Sequence, residues 1–177
     1  MRNFIKRKCE ISKCKTYRWA LELFISNESA EIIFIGLNPS MSNNSFTDNT
    51  TKKIIRICEN LHYGKVKIIN LFALIAKSPS FLKFHKDPIG EINNKIINQS
   101  LEYWSMNNYC HLWLGWGNQG DLHNRSFIVR ELINDYYLKK RQNFNNPISP
   151  LLIRKTKNNH PIHPLYCKNN SKLTSYL

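Results

Sequence analysis

Three apolar, almost uninterrupted runs constrain this chain most: EIIFIGL at 31–37, KVKIINLFAL at 65–74 and YCHLWLGWG at 109–117. Runs without polar alternation are buried on both faces, which is the condition of strands inside a parallel sheet. Segments of helical period separate them. Ile54, Ile55, Cys58 and Leu61 mark one helix; Ile92, Ile96, Ile97 and Leu101 mark a second; Leu122, Phe127, Ile128, Leu132 and Ile133 mark a third. LLIRKT at 151–156 reads as a fourth strand, and TYRWALELF at 16–24 as a strand or short helix. The strand–helix alternation predicts an α/β fold of three layers, α/β/α, around a mostly parallel sheet of about four strands.

A length of 177 residues fits a single domain over 1–177. Its core is expected at about 16–166, with a flexible basic N-terminal segment and a flexible C-terminal tail. No apolar run is long enough to cross a bilayer, and MRNFIKRKCE lacks the apolar stretch of a signal peptide. A cytoplasmic protein without a membrane partner is expected. Lys and Arg number 26 against 12 acids, a formal charge of +14. That balance favours polyanions, so DNA, another nucleic acid or a nucleotide is the expected partner, although an Asn-, Lys- and Ile-rich composition also accumulates surface Lys without purpose. The five cysteines form no C-x-x-C pair and read as reduced structural thiols. No metal and no cofactor is expected.

In open α/β sheets ligands bind beyond the carboxyl ends of the strands. Here those ends carry Gly36, Asn38 and Pro39 after the first run, Asn70 in the second, Gly115 to Asn118 after the third, and His160 and His163 after the last. Asn38 either caps a turn or positions water, since its amide is both donor and acceptor. Asn70 interrupts an apolar strand and either binds loop backbone or reads the edge of a base. GWGNQG, with three of the six glycines, fits neither a P-loop nor a dinucleotide fingerprint; it reads as a tight turn, structural or cradling a ligand. HPIHPLY stiffens a loop in which His160 or His163 stands ready to donate to a leaving group or a phosphate. Asp48 caps the following helix or serves as a base. The connection at 75–91 is longer than a plain link and reads as a functional loop.

YRW, GLNPS, TDNTTKKIIRI, INLFALIAKSP, DPIG, LGWG and HPIHPLY occur in this order. Together they resemble a family of small bacterial and phage proteins known only as domain of unknown function 1643. The likeness runs from about Tyr17 to Tyr166 and carries no established activity. The layout is also distantly similar to the uracil-DNA glycosylase superfamily. That likeness implies a glycosylase-like fold, with Gly36 to Pro39, Asn70, Trp116–Gly117 and His160 or His163 at the corresponding positions. The expected site as a whole has Asn38, Asp48, His160 and His163 as catalytic candidates and a substrate surface of Arg18, Gly36, Leu37, Pro39, Ser40, Asn70, Phe72, Trp116, Gly117, Asn118 and Leu165. Asn38 would position the attacking water, Asn70 would read the base, a His would stabilise the departing base anion, and Leu165 would fill the gap left by a flipped nucleotide. The His loop departs from the superfamily by doubling its His-Pro pair and lacking a Ser between the prolines, and Ser40 replaces the residues common after Pro39. The expected function is therefore a base N-glycosylase-like hydrolase. The alternatives are a non-catalytic nucleic-acid-binding module and an enzyme acting on a free nucleotide or a small phosphorylated substrate.

Overall fold

The structure, a computed structural model, describes residues 6–40, 48–76, 78 and 80–177. Most of the polar loop at 42–50 therefore lies outside the described residues, as do Lys77 and Pro79 of the long connection. The strands are β1 (Lys6–Ile11), β2 (Arg18–Phe24), β3 (Glu31–Gly36), β4 (Lys65–Asn70), β5 (Cys110–Leu114), β6 (Leu151–Leu152) and β7 (Thr174–Ser175). The helices are α1 (Asn49–Asn60), α2 (Ser80–Phe84), α3 (Asn93–Ser105) and α4 (Arg125–Asn143). Short 3-10 turns cover Asn118–Asn124 and Pro164–Tyr166.

The fold is α/β with one mixed sheet of seven strands in the order β1-β2-β4-β3-β5-β6-β7. This corrects the expectation of about four mostly parallel strands. β4, β3, β5 and β6 run parallel to one another, while β2 pairs antiparallel with β4, β1 with β2, and β7 with β6. The extra strands escaped notice for a physical reason. KRKCEI in β1 is charged and half exposed, as an edge strand tolerates, and so lacks an apolar signature.

Alternation along β3 divides the core. Ile32 and Phe34 join Ile54, Ile55, Ile57 and Cys58 of α1 in one apolar cluster, with Leu21, Val66, Ile68 and Trp113. Ile33 and Ile35 join Ile96, Ile97, Leu101 and Trp104 of α3 and Val129 and Ile133 of α4 in the other. Asp48 starts α1 by accepting from Thr51 N at 2.9 Å, an N-cap bond that satisfies a free donor of the first turn. In α4 the apolar period misleads: Phe127 and Ile128 are exposed, whereas Arg125, Ser126, Val129, Ile133 and Lys140 are buried. Lys140 reaches across to α3 and donates to the carbonyls of Trp104, Asn107 and Cys110 at 2.7, 2.6 and 3.3 Å. Its ammonium thereby closes the end of α3 and the turn into β5. Among the described residues, no helix is long and apolar enough to cross a membrane.

Candidate functional site

The parallel register places Gly36 of β3 beside Asn70 of β4. A Cβ on Gly36 would lie 2.7 Å from Asn70 Oδ1 and 2.9 Å from Phe34 Cε1, so only glycine lets that amide and that ring approach the strand end. The same Phe34 ring spreads over Gly115, and Pro164 lies against Gly115 as well. The carboxyl ends of β4, β3 and β5 and the His-Pro loop thus meet on the α1 face of the sheet. Asn70 is only 4% exposed, and its Nδ2 has no hydrogen-bond partner among the described residues. A buried amide nitrogen without a partner costs about 1–3 kcal/mol.

Asn38 follows two residues after Gly36. Its Nδ2 donates to Pro39 O at 3.0 Å and to Ala76 O at 3.1 Å. The amide therefore ties the turn after β3 to the loop after β4. Ala76 N returns a bond to Pro39 O at 3.3 Å. Asn38 Oδ1 accepts nothing from the described residues. Ser40 O accepts from Arg18 Nη1 at 3.5 Å. Arg18 is 2% exposed, and burial lowers its pKa while Asp48 and Cys9 oppose that shift.

Asp48 links these groups. Its two carboxylate oxygens take bonds from Thr51 N and Thr51 Oγ1. Its field also reaches Arg7, Arg18 and His163, raising the pKa of each against the lowering effect of burial. Arg7 was missed in the sequence because it stood in what read as a basic tail; pairing of β1 with β2 brings it here.

The two histidines separate clearly. His160 Nε2 pairs with Asp121 Oδ2 at 2.9 Å, and Asp121 Oδ1 accepts from Ser126 Oγ at 2.6 Å, so His160 anchors the loop to the start of α4. His163 lies against the turn of Gly117, whose Cβ would sit 3.4 Å from His163 Cβ. Gly117 has φ 72° and ψ −171°, a region reserved for glycine, and its N–H donates to Pro161 O at 2.8 Å. Burial lowers the pKa of His163, so the imidazole is mainly neutral at pH 7. Leu165 N donates to its Nδ1 at 3.4 Å, which leaves the proton on Nε2 and makes that atom a donor. Lys53 of α1 holds the far end of this loop through Cys167 O at 2.8 Å.

Other expected residues stand elsewhere. Leu37, Phe72 and Trp116 pack into the core on the α3 and α4 face, and Phe72 meets His123 edge-on. Asn118 Oδ1 accepts from Thr156 Oγ1 at 2.6 Å. Leu165 is exposed beside His163. Asn93 Nδ2 donates to the carbonyls of Asn70 and Leu71, and Arg125 Nε to Leu71 O at 2.8 Å, so both clamp the exit of β4. Neither residue carried a sequence signal, since their partners lie 22 to 54 positions away. The five cysteines are all free. Among the described residues, no group of three or more His, Cys, Asp and Glu side chains is placed to hold a metal ion. A cavity of about 240 Å³ opens at the opposite, amino end of the strands, but its charges are paired: Lys65 with Glu31 at 3.5 Å and Lys67 with Glu22 at 3.9 Å.

A family model described as "Protein of unknown function (DUF1643)" matches residues 18–165. No curated protein and no solved structure matches, a DNA glycosylase included. The match begins at Arg18 and ends at Leu165, spanning β3, β4, β5 and the His-Pro pairs, and on it the chain belongs to the DUF1643 family.

Proposed function

We propose that the chain hydrolyses an N-glycosidic bond, holding a nucleobase at the carboxyl edge of β3, β4 and β5 on the α1 face. The observation that carries this reading is His163, which lies against the Gly117 turn, whose Nδ1 accepts from Leu165 N, and whose pKa burial lowers, which favours a neutral imidazole with Nε2–H as a donor. A neutral donor suits a base that departs as an anion, because it stabilises developing charge without having to lose a proton. Asn70 Nδ2, buried and without a partner, supplies a donor for an acceptor on the base edge. Asn38 Oδ1 accepts from water, its amide being fixed by Pro39 O and Ala76 O.

An uncharged amide is a weak base, so bond breaking runs ahead of attack. The C1′–N bond opens with its electron pair moving to the base, where His163 Nε2–H stabilises it. Water held at Asn38 then adds to C1′, and its proton passes to the Asp48 carboxylate. The order of Gly-x-Asn-Pro, Asn70 and the His-Pro pairs along the sequence, which resembles that of uracil-DNA glycosylases, suggests these roles for Asn38, Asn70 and a histidine. The test is release of free base, followed by chromatography, from nucleosides and oligonucleotides carrying ordinary and deaminated bases. Asn38→Ala is expected to abolish release while leaving affinity intact. Unchanged release would remove Asn38 from the mechanism.

A further inference from the structure

The long connection after β4 holds a feature that the hydrolytic chemistry leaves unused. Two large aromatic side chains, Phe81 at 63% and Phe84 at 80% exposure, project from α2. Leu82 between them is fully buried in the core and its carbonyl lies 3.4 Å from His123 Nε2, so the helix is pinned with its aromatic residues outward. The base of the connection is tied to the site, since Ala76 bonds both Asn38 and Pro39. The far side is tied by Tyr17 Oη, which donates to Asp87 O at 2.9 Å, and by Tyr17 and His85 meeting edge-on. The helix thus presents exposed rings on a connection whose first residues bond Asn38.

Lys83, His85 and Lys86 are exposed among the rings, and Lys83 Nζ lies 5.6 Å from the Phe84 centroid. Two acids of the connection, Asp87 and Glu91, are exposed as well, and Asp87 accepts from Gly90 N at 2.9 Å, so three basic side chains stand against two acids. Exposed rings interleaved with cations, on a chain of charge +14, complement a strand of unpaired nucleotides. Bases stack on aromatic faces while ammonium groups neutralise the phosphates, and stacking needs no particular sequence. A second copy of this chain would bring the same cations face to face and is disfavoured for that reason.

We infer that Phe81 and Phe84 form a stacking platform for a single-stranded polynucleotide, which delivers one of its nucleotides to the crevice at Asn38. The inference rests on the hydrolytic reading only for that delivery; the platform itself is tested by binding alone. Fluorescence anisotropy with a labelled mixed-sequence single-stranded DNA of about 15 nucleotides reads it directly. The Phe81→Ser, Phe84→Ser double variant should weaken Kd by roughly 20-fold or more at fixed salt, with an unchanged melting temperature because both rings are exposed. Lys83→Gln with Lys86→Gln should reduce the slope of log Kd against log salt by about 1–2. Equal affinity of the double variant, absence of binding by the wild type, or a wild-type dimer that the two serines dissolve would each overturn the platform. Failure of base release with normal platform binding would therefore count against the hydrolysis alone.

Discussion

Substituting Gly36→Ala tests the geometry on which the site depends. The added Cβ would stand 2.7 Å from Asn70 Oδ1 and 2.9 Å from Phe34 Cε1. Both distances are shorter than carbon atoms normally tolerate, and neither neighbour has an easy escape. Phe34 is 1% exposed and meets the Trp113 ring at 4.7 Å and 67°. Asn70 is buried at the end of β4, its carbonyl held by Asn93. Overpacking of this kind costs about 1–3 kcal/mol. For a chain of this size that corresponds to a melting temperature lowered by about 2–12 °C. Thermal unfolding of wild type, Gly36→Ala, Asn70→Ala and the double variant closes a cycle. Because the methyl and the Asn70 amide compete for one space, the double variant should be less destabilised than the sum of the singles, by roughly 1 kcal/mol. Strict additivity, or a Gly36→Ala variant that melts with the wild type, would refute the contact and with it the placement of Asn70 in the crevice.

Three further outcomes follow from individual groups. Lys140→Met should destabilise by about 3 kcal/mol, roughly 6–12 °C in melting temperature, because three buried carbonyls lose the ammonium that serves them; an unchanged melting temperature would deny it that role. Asn70→Leu should match or exceed wild-type stability in the same melts, since the amide nitrogen it removes has no partner, yet lose base release; a large loss of stability would mark Asn70 as structural. The folded pKa of His163 lies below its unfolded value, so the unfolded chain binds the proton more readily and stability falls as pH drops through about 6.5. His163→Gln should flatten that slope in melts between about pH 5 and 7.5, while His111, also lowered by burial, keeps part of it.

The sequence was most informative where burial leaves no choice. β3, β4 and β5 are apolar on both faces because core lies above and below them, and the long runs announced this. Asp48 was readable as a helix cap because capping is local. Longer-range pairing was not readable. His160 and His163 share the same local context, each followed by Pro, and only the approach of Asp121 to one and of the Gly117 turn and Asp48 to the other distinguishes them. Phe72 and Trp116 sit in sequence where a ligand would be expected, but both lie past the ends of β4 and β5 and join the core on the α3 and α4 face. Phe127 and Ile128 follow a helical period and are nonetheless exposed, because α4 buries Arg125 and Lys140, which serve backbone carbonyls that no apolar pattern records. The charged strand β1 stayed hidden for the same reason, and with it Arg7.

The most direct test of the hydrolytic account is base release carried out in heavy-oxygen water, with both products weighed by mass spectrometry. If water positioned by Asn38 adds to C1′, the heavy oxygen enters the sugar, the free base stays unlabelled, and Asn38→Ala gives neither product. Label in the base, or no release from any nucleoside or oligonucleotide by the wild-type protein, would contradict it.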